Sequence, residues 1–114
     1  MSRAVRSYLL GTLLPFWAEC AWDGIDGGYI SELRLTGAAV PEAMRSTLVQ
    51  SRCLYSFSHA AVLGGDDWAF TAARRAFDFL CRRLRHESGL WVTAAAPRPG
   101  GPRDERLDFY DQAV

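Results

Sequence analysis

Val5, Leu9, Leu13, Phe16, Trp17 and Cys20 fall at the spacing of one helical face, and Ser2 stands ahead of them as a cap. Pro15 interrupts that run. It has no backbone N–H and its ring crowds the preceding turn, so the pattern predicts a kink or the restart of a second helical segment there. Residues 23–28 are acidic and glycine-rich, and residues 29–35 then alternate apolar and polar at period two. Thr36 and Gly37 supply a turn, and residues 38–40 a return strand, which together predict a small hairpin between helices.

After Pro41 a helix is expected over residues 42–63, closed by Gly64 and Gly65. Its faces differ. Leu48, Arg52, Tyr55, His59 and Val62 form one, while Val49, Cys53, Phe57 and Ala60 form the other, so both flanks suit packing or the lining of a cavity. A further helix is expected from Asp66 or Asp67, with Phe70, Ala73, Phe77, Leu80, Cys81 and Leu84 as its core-facing stripe. Arg82, Arg83, Arg85 and His86 complement the carbonyl end of its dipole. Gly89 stops it, residues 90–94 read as a short strand, and residues 97–102 as an irregular loop of Pro, Gly and Arg. Asp108 then precedes residues 109–114 as a cap precedes a first turn. Six residues are too few for a helix to stand alone, so residues 1–114 are expected to be an incomplete N-terminal segment of one domain.

Composition narrows the function classes. Thirteen basic residues, all Arg, balance thirteen Asp and Glu in 114 residues, so the electrostatic footprint of a nucleic-acid binder is missing. Cys20, Cys53 and Cys81 lack C-x-x-C spacing and are odd in number, which favours reduced thiols over a zinc site or a disulfide framework and points to a cytoplasmic protein. Arg3 and Arg6 precede an apolar run that imitates a signal peptide, but Phe16, Trp17, Glu19 and Trp22 occupy the stretch where small cleavage-site residues belong. No run is long enough to span a bilayer, so no membrane partner is expected.

Four short words stand in order along the chain: L-P-F-W at residues 14–17, D-G-G-Y at 26–29, Q-S-R-C-L-Y at 50–55 and F-Y-D-Q-A at 109–113. Together with the rhythm of helix, hairpin, helix, helix, strand and helix, they resemble the N-terminal part of the N-acylglucosamine 2-epimerase family, which includes mannose isomerases and cellobiose 2-epimerases. The resemblance implies a mainly α fold, the N-terminal portion of an (α/α)6 barrel with short β-hairpins in its loops, in which helical hairpins pack around a funnel. Val114 departs from the family, which carries an aromatic residue there, and the loop over residues 97–102 is peculiar to this chain.

The resemblance also implies a chemistry: a proton is removed from C2 of a sugar beside a carbonyl and returned to the other face or to another carbon. No metal or other cofactor is implied. The partner is a mono- or disaccharide, and the full-length protein has room to be a homodimer. Arg52 matches the Arg of the family's Q-x-R helix, which holds sugar oxygens near C1 and C2. A permanently charged fork of donors suits an enediolate. The plainer alternative is a structural Arg paired with a carboxylate. Tyr110 matches a substrate-contacting Tyr of the family, against the alternative of a buried tyrosine at a helix start. The family's acid and base histidines come from later helices, so His59 reads as a hydrogen-bonded core residue and His86 as part of a solvated helix end. The isolated segment is therefore expected to be inactive. Trp17, Tyr29 and Trp91 offer rings for stacking on a sugar, although aromatic residues at helical or strand spacing more often belong to the core, and Gly27 and Gly28 lack a phosphate-cradle pattern. Two other readings stay open: a fragment of an (α/α)6-barrel glycoside hydrolase, which needs two flanking carboxylates, and a helical-repeat binding module without catalysis.

Overall fold

A computed structural model describes residues 2–64 and 66–113. Ser2 caps the first helix as expected, its hydroxyl accepting from the Val5 amide at 3.1 Å. Pro15 is accommodated by a change of helical pitch. α1 (Arg3–Tyr8) passes through a π-helical turn (Leu9–Leu13) into α2 (Leu14–Cys20), with right-handed helical backbone at every junction. The Leu14 amide reaches back to the Leu9 carbonyl. That one-residue bulge falls in the turn where the Pro15 ring would otherwise press on the carbonyl of Gly11.

The segment between α2 and the next helix is held by single bridges rather than by a ladder. Trp22 pairs with Tyr29, and Leu33 with Ala39, around a turn in which Gly37 takes φ +90°. The expected hairpin is therefore present in reduced form, starting later than residue 29. Gly28 is required where it stands, because a Cβ there would lie 3.0 Å from the Phe79 ring at φ +83°.

The helix expected from residue 42 starts five residues later. Arg45 and Ser46 instead form β1 (Arg45–Ser46), which pairs antiparallel with β2 (Ala94–Ala95), and β2 with β3 (Arg103–Asp104). The register sets Arg45 opposite Ala95 and Ala94 opposite Asp104. Ser46 then caps α3 (Thr47–Val62) by accepting from the Val49 amide, and Gly64, at φ +100°, follows its end. Gly65 and Val114 lie outside the described residues.

α3 packs on α4 (Asp67–Phe79), and this hairpin supplies Phe57, Ala72, Ala73 and Ala76 to the first core cluster, which Ala21 and Tyr29 complete. Ala60 of α3 and Ala69 of α4 are buried as well. The stripe expected on α4 is thus partly corrected: Phe70 and Phe77 are 63% and 49% exposed, and an alanine ridge faces α3 instead. Small side chains let the two backbones come close enough for Phe57 and Tyr29 to fill the space between them. A π-helical turn (Leu80–Leu84) ends α4 and contributes Leu80 and Leu84 to a second cluster with Phe79, Val92 and Ala95. The short strand expected at residues 90–94 is a single Arg85–Trp91 bridge followed by β2. Asp108 caps α5 (Phe109–Ala113), accepting from the Tyr110 amide at 2.9 Å. Among the described residues no helix is long and apolar enough to cross a membrane.

Candidate functional site

α3 and α5 begin near one another because both follow strands or loops tied to the small sheet. Thr47 donates from its amide to the Thr93 carbonyl and from its hydroxyl to the Val92 carbonyl, and Thr93 is bonded in turn to the carbonyls of Asp104 and Arg106. The result brings together two side chains 58 residues apart: Nη2 of Arg52 donates to the phenol oxygen of Tyr110 at 3.2 Å. Both side chains are exposed. Among the described residues no carboxylate lies within ion-pairing distance of Arg52, so its charge is not consumed locally and most of its donors remain free for a ligand.

Arg52 borders an open cleft of about 550 Å³ between the N-terminal helix and α3. Leu13, Leu14, Trp17, Val49 and Phe57 give it apolar walls, and Ser31 and Ser56 add hydroxyls. Among the described residues no Asp or Glu lines it. Burial pushes the Cys53 thiol, on the same wall, up to about 11, so at neutral pH it is a neutral packing group and not a nucleophile.

The three aromatic candidates separate. Trp17 is part-exposed on the cleft. Tyr29 reaches the cleft but is fully buried, its hydroxyl donating to the Ala72 carbonyl at 3.1 Å, and burial pushes its phenol well above the ordinary range. A stacking platform cannot be made of it. Trp91 is half-buried, with the Arg85 guanidinium 5.5 Å from its ring centre. His59 is exposed rather than in the core, stands edge-on to Tyr55 at 4.4 Å, and lines a smaller neighbouring cleft with Leu9, Leu10 and Leu63. His86 is bonded locally to Ser88 at 2.7 Å.

Some residues that build the site carry no motif of their own. Arg45, fully buried, pairs with Asp23 at 2.7 Å and donates to the carbonyls of Gly27, Pro41 and Ala43. Burial pushes the Asp23 carboxyl up, but the Ile25 and Asp26 amides and the Arg45 guanidinium more than offset this and hold it below its ordinary value. Gln50, also fully buried, bonds the Tyr29 backbone, and Gln112 that of Trp91. The only sequence signal was the place of Gln50 and Gln112 inside two of the four words.

Residues 28–114 match the sequence model of a family described as N-acylglucosamine 2-epimerase (GlcNAc 2-epimerase). The chain is 32% identical over 110 residues to a mannose-6-phosphate isomerase of Rhizobium meliloti (strain 1021), covering 96% of this chain and 28% of that protein. It superimposes on the cellobiose 2-epimerase of Bacillus thermoamylovorans B4167 with a TM-score of 0.85 at 25% identity, over 96% of this chain and 28% of that one. For the cellobiose 2-epimerase of Spirochaeta thermophila DSM 6192 the values are 0.76 and 26%, over 88% and 25%. A sugar epimerase from a ruminal bacterium shares the fold with a TM-score of 0.82 at 23% identity, over 95% and 28%. The chain thus spans about a quarter of the length of these relatives, and its mainly helical fold is that of the N-terminal region of their (α/α)6 barrels.

Proposed function

Since the chain belongs to the N-acylglucosamine 2-epimerase family, we propose that it forms the N-terminal segment of a sugar 2-epimerase or aldose–ketose isomerase and contributes the group that stabilises the enediolate. A base removes the C2 proton, the C–H electrons form the C1–C2 double bond, and the carbonyl pair moves onto oxygen. Return of the proton to the opposite face of C2 gives the epimer; return to C1, with the hydroxyl proton passing from the C2 oxygen to the C1 oxygen, gives the ketose. Arg52 supplies two or more N–H donors to the oxygens on C1 and C2 as charge develops there, and Tyr110 holds the guanidinium in place while presenting its hydroxyl to the sugar.

The observation that carries this reading is the Arg52–Tyr110 hydrogen bond at the edge of an open cleft, with no carboxylate pairing Arg52 among the described residues. The proton-transfer groups belong, in this reading, to the remainder of a barrel of which the chain spans 28%. Among the described residues no Asp or Glu lines the cleft, so this segment supplies neither of the paired carboxylates a glycoside hydrolase needs. The substrate class is a free or phosphorylated hexose or a β-linked disaccharide, by likeness to the mannose-6-phosphate isomerase and the cellobiose 2-epimerases.

The test is exchange of the sugar's C2 proton in D₂O, followed by NMR with cellobiose, mannose, N-acetylmannosamine and mannose 6-phosphate. The 114-residue chain should give none, and a barrel-length protein that begins with these residues should exchange at least one of them. Exchange by the chain alone, release of monosaccharides from cellobiose, or binding without exchange in the barrel-length protein contradicts the proposal.

A further inference from the structure

Gln50 and Gln112 hold the same place in two copies of one arrangement. The amide of Gln50 donates to the Tyr29 carbonyl and accepts from the Tyr29 amide, both at 2.8 Å. The amide of Gln112 does the same to Trp91, at 2.8 and 2.7 Å. In each case the partners are 21 residues apart. Each glutamine is the fourth residue of its helix, and each helix is capped by the residue just before it, Ser46 or Asp108. Each clamped aromatic residue lies two positions after a glycine of positive φ, Gly27 at 84° and Gly89 at 92°, and forms an isolated bridge to a residue just past the preceding helical segment, Trp22 or Arg85. Gly27 and Gly89, Tyr29 and Trp91, Ser46 and Asp108, and Gln50 and Gln112 are all separated by the same 62 positions.

A primary amide is the side chain that reproduces the donor and acceptor of a backbone unit. It can close both bonds to one residue of a loop that has no strand beside it. Consecutive helical residues turn by about 100°, so residues two apart point in nearly opposite directions. Arg52 follows Gln50 by two positions and Tyr110 precedes Gln112 by two. With each glutamine locked against a loop, Arg52 and Tyr110 are turned to the open side, where they meet.

We infer that Gln50 and Gln112 are positioning residues, a matched pair of amide clamps that fix the starts of α3 and α5 so that the Arg52 guanidinium and the Tyr110 hydroxyl face one another. The functional meaning of that contact rests on the reading of Arg52 and Tyr110 proposed above; the clamps themselves are tested without any sugar.

The experiment is NMR of the 114-residue chain, reading the cross-peak between the Arg52 guanidinium protons and the Tyr110 ring. The cross-peak should be present in the unsubstituted chain and lost in Gln50→Met and in Gln112→Met, while α4 amide signals persist. It should survive in Ala76→Gly, which weakens α4 without touching a clamp. In Gln112→Glu the cross-peak should be absent at neutral pH, where the carboxylate has no donor, and return near about pH 5 as the half-buried carboxyl regains an O–H. That pH rescue decides the matter if the Met variants fail to fold. A cross-peak absent from the unsubstituted chain, retained in both Met variants, lost equally in Ala76→Gly, or not restored by acid in Gln112→Glu overturns the inference. If the clamps behave as stated but the barrel-length protein exchanges no sugar proton, the proposed function fails and the clamps stand.

Discussion

α3 has two faces that obey different rules. Thr47, Gln50, Phe57 and Ala60 point inward and are buried, with every polar group among them bonded to a loop or strand and the apolar ones packed on α4. Arg52, Tyr55, His59 and Val62 point outward and are exposed, and only Arg52 reaches a distant side chain. The inner face fixes where the helix starts and how it is rotated. The outer face is therefore free to carry charge and aromatic surface whose partners need not be in the protein. A substitution on one face should accordingly be read in stability, and on the other in recognition.

The largest break in that contrast is expected at Phe57. Phe57→Ala empties the space between Tyr29, Trp68 and the alanine ridge and should cost about 3–5 kcal/mol, seen as a fall in the denaturation midpoint. The exposed Phe70 should tolerate Phe70→Ser within about 0.5 kcal/mol. Arg45→Met, which leaves the Asp23 carboxylate and three carbonyls without their donor, should cost about 3 kcal/mol. A smaller effect concerns pH. The Asp23 carboxyl is held below its ordinary value of 3.8 in the fold, so the stabilisation it gives is present above that pH and lost as pH falls beneath it. Acid melts should show this loss, and Asp23→Asn should flatten it. The mildest expectation is chemical: with its thiol pushed up to about 11, Cys53 should alkylate slowly at pH 8 until denaturant is added.

Helix caps are legible in the sequence; helix starts and packing faces set by distant partners are less so. Ser2 and Asp108 announce their helices because a cap needs only one oxygen beside the first free amides. The start of α3 did not show, since two-residue strands have no periodicity, and Arg45 and Ser46 are committed by partners about fifty residues away. The packing face of α4 was misplaced because Phe70 and Phe77 outweigh alanines on any hydrophobic scale, whereas close helix packing favours the alanines. Arg52 and Tyr110 stood out through the family words alone, and no spacing rule joins residues 58 apart. Spacing alone cannot tell a sugar-stacking ring from a core ring at Trp17 and Tyr29; burial separates them, Trp17 being exposed and Tyr29 buried.

The central claim is that Arg52 acts on the sugar and not on the fold. The direct measurement is kcat/KM together with the melting temperature for Arg52→Ala and Arg52→Lys in the barrel-length enzyme. Loss of a donor that stabilises a developing oxyanion should lower turnover about a hundredfold to a thousandfold in Arg52→Ala, and Lys should restore little, because an ammonium cannot reproduce the fork. The melting temperature should stay near that of the unsubstituted protein, as expected for an exposed side chain without an ion pair among the described residues. Turnover that survives Arg52→Ala, or falls only in step with a collapsing melting temperature, would show that Arg52 is a structural residue.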